Sequence, residues 1–447
     1  MMRASTNASV IDACLKTNFW TWSAQADVQP IPVARAQGVY FWDYDGRRYL
    51  DFNAMVMCVN IGHGDGRVIE RICDQARKLT FAGPHMATEV RAELGEKLRQ
   101  ITPVGVDRIL YTLGGADANE NAVKLARSFT GKFKILTRYR SYHGATHGAI
   151  ALTGDNRRLA WEPVVMPGVV HFLDPYRYRS TFHRHRRQVS ETAFCQDYLD
   201  HLEEIIQYEG PKTIAAVLIE TVTGTNGIII PPEGYLQGVR KLCDAYGILL
   251  ITDEVMSGFG RTGEWFAVDH WQVTPDLITM AKGLTSGYAP LGAVAMREEI
   301  AEHFSDTVYY GGLTYNGHPL SLAAASAVID VMQEDRLLQR SREMGEYLAE
   351  RLKQIQKRHS CVGDVRSIGL FAGIELVRDR ESREPLSPFN QSQSSVMKKI
   401  HKTILERGVF LTTHFNVLLI IPPLTISKEE LDVGLRVIDE ALCIGDN

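Results

Sequence analysis

Several absences narrow this sequence first. It has no uninterrupted apolar run of ~18 residues, so no segment is expected to span a bilayer. The opening residues, Met1-Met2-Arg3-Ala4-Ser5-Thr6-Asn7, are polar and lead into no apolar stretch, which argues against a secretory signal. Cysteine is scarce: seven residues, at 14, 58, 73, 195, 243, 361 and 443, with no C-x-x-C pair. An odd, scattered set suits neither a disulfide frame nor a metal site, and points to reduced thiols in the cytoplasm. Neither charge sign dominates: 49 Lys and Arg against 53 Asp and Glu leave a formal net charge of −4. No basic footprint for nucleic acid follows. Repeats and low-complexity runs are missing too. No G-x-G-x-x-G follows an early strand with an acid about 20 residues on, which disfavours a nicotinamide oxidoreductase.

What is there is an ordinary globular chain of 447 residues, 45% hydrophobic and 23% charged, long enough for two or three domains. Short apolar runs without polar alternation occur at 109–112, 134–136, 216–219, 248–251, 277–280 and 292–295. Such runs suit strands buried on both faces, as in parallel sheets. Between them lie helical patterns: Ala118, Ala122, Leu125 and Phe129 share one face before a stop at Gly131, and 235–246 is a second. Asp45-Gly46 between aromatic runs predicts a hairpin within 38–52. One long helical stretch is expected from 320 to 356 and a last helix at 428–442. The reading is α/β: a large domain at 61–310, and a small α+β domain assembled from both ends, 1–60 and 311–447.

The most informative segment is 248–263, an apolar strand ending in Asp253-Glu254-Val255, then a loop with Gly258, Gly260, Arg261 and Gly263. Ligands of doubly wound sheets bind just beyond the carboxyl ends of strands. Alternation puts Asp253 and Val255 on one face, so a carboxylate and a branched apolar side chain meet the same ligand. One strand–helix unit later, Lys282 ends another strand and opens a glycine-bearing loop. A lysine beside a buried carboxylate can be an imine-forming nucleophile. Upstream, Gly114-Gly115-Ala116-Asp117-Ala118-Asn119-Glu120 joins a strand to a helix. Its small residues leave backbone N–H groups open for an anion such as phosphate. Tyr142, in Ser141-Tyr142-His143-Gly144, can stack on a flat ring. An imine lysine, a carboxylate for a ring nitrogen, a phosphate-binding helix start and a stacking aromatic are four demands of pyridoxal 5′-phosphate (PLP).

Through these blocks the chain resembles the class III aminotransferases of the fold-type-I PLP family over essentially its whole length. Gly62-His63-Gly64, Glu220, the stretch 311–319 and Pro422-Pro423-Leu424 are further family-like features. The resemblance implies a large domain built on a mostly parallel seven-stranded sheet. It implies that Lys282 joins the cofactor aldehyde as an imine, then carries a proton between the substrate carbon and C4′. Asp253 would pair with the pyridine nitrogen, Tyr142 and Val255 would bracket the ring, and Gly115 and Ala116 would bind phosphate. His143 and Glu220 would lie on the cofactor side. Thr314 would complete the phosphate site from a partner subunit, which implies a homodimer, alone or paired into a tetramer. The implied activity is ping-pong transfer of an amino group from an ω-amino acid or amine, such as taurine or β-alanine, to a keto acid, foremost pyruvate. An epimerase or aminomutase of the same fold is the alternative.

Three positions depart from the family pattern. Ala116 stands where relatives usually have serine, which removes one hydroxyl hydrogen bond worth ~1 kcal/mol. Met57 stands where many amine transaminases have tryptophan, reshaping the mouth of the substrate pocket. Thr412 stands near the point where many relatives place a carboxylate-binding arginine. Either His414 takes over or the donor's distal group binds elsewhere, with Glu220 on the substrate side in both cases. The stretches 168–179 and 416–424 look most like the taurine–pyruvate and ω-amino-acid–pyruvate branch. Trp20 and Trp22 either staple the N-terminal segment or line the pocket. Arg261 is read as pinning the loop after Asp253, and His63 as structural. The basic run Arg177, Arg179, Arg184, Arg186 and Arg187 reads as a solvated loop.

Overall fold

The computed structural model describes residues 6–183 and 189–446. Its centre is a sheet of seven strands: β1 (Val106–Thr112), β2 (Lys134–Arg138), β3 (Val169–Phe172), β4 (Ile214–Glu220), β5 (Leu249–Asp253), β6 (Leu277–Met280) and β7 (Gly292–Arg297). The spatial order is β1-β7-β6-β5-β4-β2-β3. Strands β6, β5, β4, β2 and β3 run parallel, while β7 is antiparallel to both β6 and β1. Every residue of β4, β5 and β6 is buried, as expected where helices cover both faces. The one strand with no apolar run read for it is β3, whose first three residues are only half-buried.

The helices expected at 118–129, 235–246 and 428–442 are Gly115–Thr130, Tyr235–Tyr246 and Lys428–Leu442. The single long helix expected from 320 is instead two, Pro319–Glu334 and Leu337–Arg358. Between them Arg336 adopts left-handed backbone (φ 52°), which a continuous right-handed helix cannot accommodate. Tyr40–Trp42 pairs antiparallel with Arg48–Asp51 around Asp45-Gly46. The two ends of the chain meet in that sheet, where Val409–Phe410 pairs parallel with Leu50 and Asp51. Among the described residues no helix is long and apolar enough to cross a membrane.

The basic run divides. Arg177 is half exposed and pairs with Glu191. Arg179, by contrast, is no solvated side chain: it forms an ion pair with the buried carboxylate of Glu375. Arg184, Arg186 and Arg187 lie outside the described residues.

Arg261 ties distant segments together from a fully buried position. Nη1 donates to the carbonyls of Leu370 (3.1 Å) and Pro422 (2.5 Å), and Nη2 donates to Asn60 Oδ1 (2.8 Å). Burial pulls its guanidinium down to about 9, opposed by the charge of Asp51. Removing it leaves three buried acceptors without donors. Arg261→Met is therefore expected to lower stability by about 3 kcal/mol, read as a shifted urea midpoint. Arg261→Lys should restore only part, because an ammonium lacks the planar fork that reaches acceptors on two nitrogens at once.

Candidate active site

Three adjacent strands bring polar side chains to one end of the sheet. In the pairing register Glu220 lies opposite Asp253, and Asp253 opposite Thr279. A cavity of about 430 Å³ opens here, lined by Gly115, Ala116, Tyr142, Asp253, Val255 and Lys282 among others. That size suits a small cofactor, since such pockets span roughly 300–1,000 Å³. A larger cavity, about 650 Å³, is lined by Tyr139, Asp174, Tyr176 and Arg383 and touches none of the predicted site residues.

Asp253 is buried and held on three sides. Its Oδ1 accepts the Val255 N–H at 2.9 Å; its Oδ2 accepts Asn119 Nδ2 at 2.8 Å and lies 2.7 Å from His143 Nδ1. His143 Nε2 lies 3.2 Å from the Thr137 hydroxyl. With Nδ1 donating to the carboxylate, Nε2 faces that hydroxyl, which can donate or accept. The Thr279 hydroxyl donates to Asn119 Oδ1 at 2.7 Å, which turns the amide N–H toward Asp253. A carboxylate has about four acceptor sites, so Oδ1 keeps room for one more donor.

Lys282 follows β6 with a positive φ of 41°, a strained conformation for a lysine and one found mostly at functional sites. Among the described residues its ammonium has no hydrogen-bond or ion-pair partner. The helix Gly115–Thr130 opens on the cavity, and the N–H groups of its first turn have no intrahelical acceptor. A Cβ at Gly115 would lie 2.8 Å from Val255 Cγ1, and one at Gly144 would lie 2.5 Å from Ala116 Cβ. The turn that opens this helix is thus packed too closely for larger side chains.

Glu220 lines the cavity, but backbone groups occupy its carboxylate. Oε1 accepts the Tyr142 N–H (2.9 Å) and Oε2 the Gly224 N–H (2.7 Å). Burial raises its pKa, and neighbouring Asp253 adds to the rise. Glu254 points the other way, into the core. Its two oxygens accept the hydroxyls of Thr221 and Ser257 (both 2.6 Å) and the N–H groups of Ala267 (3.0 Å) and Val268 (2.9 Å). Burial pushes its carboxyl up to about 7. Between its ordinary value and 7 the folded state holds the proton that the unfolded chain has lost, so stability falls as pH rises through that window. Glu254→Gln should flatten this decline between pH 5 and 7. It should also lower stability at pH 5 by about 2 kcal/mol, since the amide NH₂ confronts a backbone N–H that the hydroxyl oxygen of the protonated carboxyl can still accept. Urea melts at the two pH values check both.

Five predicted residues do not line this cavity. Thr314 is exposed, as is Trp22. Trp20 is half-buried, its indole N–H without a partner. Met57 is buried at the end of Ala54–Met57, four residues all in left-handed backbone with φ between 42° and 61°. His414 lies behind the site, its Nε2 3.8 Å from Asp155 Oδ2, and burial lowers its pKa. His63 pairs with buried Asp51 at 3.0 Å. Asn119, Thr279 and Thr225 were missed. Thr279 carries a signal, a lone polar residue in an apolar run; Asn119 carries none beyond its place in 114–120, and Thr225 carries none.

The class-III aminotransferase family model matches residues 21–442. The chain belongs to the class-III aminotransferases. Its fold overlays the taurine:2-oxoglutarate aminotransferase of Bifidobacterium kashiwanohense, solved with PLP and glutamate, at a TM-score of 0.94. The two are 41% identical, over 99% of this chain and 98% of that one. The taurine–pyruvate aminotransferase of Bilophila wadsworthia is 33% identical over 92% of each chain. A leucine/methionine racemase of Thermococcus litoralis is 35% identical, over 92% of this chain and 90% of the relative. As a class-III aminotransferase, the chain is a PLP enzyme of fold type I. The cavity fits that cofactor: an unpartnered lysine, a carboxylate with a vacant acceptor site and an open helix start face one space.

Proposed function

We propose that this enzyme moves the amino group of an ω-amino acid or amine, foremost taurine or β-alanine, to pyruvate by ping-pong exchange. The observation that carries the reading is the shared lining of one cavity by Lys282, Asp253, Val255, Tyr142 and the start of helix Gly115–Thr130. Bound there, PLP would supply an aldehyde carbon for the amine and a ring that accepts electrons when a C–H bond breaks. Asp253 Oδ1 holds a proton at the ring nitrogen. Lys282 Nζ takes up and returns the proton of the donor's amine-bearing carbon. Tyr142 and Val255 bracket the ring, and the backbone N–H groups of Gly115 and Ala116 bind phosphate. Glu220 sets the position of Tyr142 through its main-chain bond.

Thr314 would join the phosphate site from a second copy, so the working unit is a homodimer. Tyr310, 90% exposed, and half-exposed Leu313 and Tyr315 offer apolar surface beside it for that copy. The pairing of Val409–Phe410 with Leu50 and Asp51 supports a small domain made from 1–60 and 311–447 beside a large one at 61–310. We place the enzyme in the cytoplasm: none of its seven cysteines is in a disulfide.

The likeness to taurine aminotransferases supports the donor class. The likeness to a racemase favours a second reading, in which the proton returns to the carbon it left, on the opposite face. Purified enzyme with taurine or β-alanine and pyruvate should form alanine. Racemisation of leucine with no acceptor, and no alanine from any donor, would establish the second reading instead. Preference for 2-oxoglutarate, with glutamate as product, would overturn the choice of pyruvate.

A further inference from the structure

We propose that the larger cavity, about 650 Å³, is a second binding site, for a small organic anion that carries a carboxylate or a phosphate. It shares no lining residue with the cavity around Lys282, so the proposal stands apart from the amine-transfer reading. Its walls come from segments far apart in sequence. Arg140 follows β2, Asp174, Tyr176 and Tyr178 follow β3, and Arg383 lies in the turn between the paired strands Phe371–Asp379 and Glu384–Pro385.

Donors without acceptors carry the case. The Arg140 guanidinium packs on two rings, 4.0 Å from the centroid of Phe389 and 5.0 Å from that of Tyr176. Its one hydrogen-bond contact, from Nη1 to the Asn226 carbonyl, is 3.5 Å long, and it forms no ion pair among the described residues. Burial disfavours its charge, a penalty that an anion beside it would offset. Arg383 forms no ion pair among the described residues either. Its Nη1 donates to the Tyr178 carbonyl at 2.6 Å, and its guanidinium lies 4.8 Å from the Tyr178 ring centroid. Beneath the wall, Arg179 Nη2 and the Tyr178 hydroxyl are buried without an acceptor. The carboxylates nearby are committed. Glu375 holds Arg366 and Arg179, exposed Glu384 pairs with Arg378 at 3.3 Å, and Glu381 is partnered too. Asp174 Oδ2 accepts the main-chain N–H of Arg140 at 2.8 Å, its Oδ1 lies 3.9 Å from Arg138 Nε, and burial raises its pKa. The cavity is short of acceptors, and a ligand that fills it must bring them. Carboxylate and phosphate oxygens are the acceptors that guanidinium groups hold best. The volume exceeds the needs of a bare ion and leaves room for an organic body against Phe389.

The test titrates succinate and inorganic phosphate into holoenzyme by calorimetry, for wild type, Arg140→Met and Arg383→Glu. Holoenzyme keeps the phosphate probe out of the cofactor cavity. Wild type should bind one anion per chain, and the tighter of the two probes identifies the head group. Loss of charged hydrogen bonds predicts affinity lowered roughly 10–100-fold in Arg140→Met. Reversing an exposed charge in Arg383→Glu predicts a loss of roughly 5–10-fold. The anion should also raise the melting temperature of wild type and not that of Arg140→Met. If Arg140→Met does not fold, as its melt without ligand will show, Arg383→Glu on its exposed turn decides the comparison. Full-strength binding in the folded variants would place the anion elsewhere and overturn the proposal. So would the absence of binding by either probe at ~10 mM.

Discussion

Lys282→Ala is expected to end amino transfer, lowering kcat at least ~10⁴-fold, the combined worth of a covalent nucleophile and a general acid–base group. The expectation follows from what surrounds the side chain. A surface lysine would be solvated, and a structural one would be paired. This one has neither condition: it is half-buried, on a backbone with φ of 41°, and has no hydrogen-bond or ion-pair partner among the described residues. Strain of that kind costs of order 1–3 kcal/mol and persists only where the surroundings enforce it. Alanine should therefore leave folding intact, and the melting temperature should not fall. Borohydride treatment should add the mass of one cofactor to wild type and none to Lys282→Ala. Retention of more than about one per cent of wild-type kcat would exclude Lys282 as the group that binds and moves the reacting atoms.

The parts of this site that were legible share a physical cause. Strands buried on both faces must be apolar throughout, so β4, β5 and β6 announce themselves, and a polar residue at their ends is conspicuous. Asp253 and Lys282 are such residues, and both line the cavity. Strand β3 is half-buried and short, so its composition carries little signal. The break at Arg336 was hidden because Gln333, Glu334, Asp335 and Arg336 include neither glycine nor proline; only the left-handed φ ends the helix. Contacts across the sheet were also hidden. Asn119 meets Asp253 because helix Gly115–Thr130 lies over the strand ends, and no spacing along one chain encodes that meeting.

Asp253→Asn is the second large effect, an expected loss in kcat of roughly 10²–10³-fold, the scale of removing a preorganised charge partner. Size is unchanged, so the argument turns on donors and acceptors. The carboxylate serves donors on both oxygens: Val255 N–H at Oδ1, Asn119 and His143 at Oδ2. Asparagine offers one oxygen and one NH₂. With the NH₂ at the Oδ2 position, it confronts the Asn119 amide, already oriented by Thr279, and the imidazole N–H of His143. With the NH₂ at the Oδ1 position, it confronts the Val255 N–H and meets the ring nitrogen as a donor, which favours the unprotonated ring. On the proposed reading, either arrangement would remove the negative charge that keeps the bound ring an electron acceptor. Thr279→Val, which frees the Asn119 amide while leaving Asp253 charged, should cost only about tenfold in kcat. A Thr279→Val loss as large as that of Asp253→Asn would mean that packing of the network, rather than the charge at position 253, sets the rate.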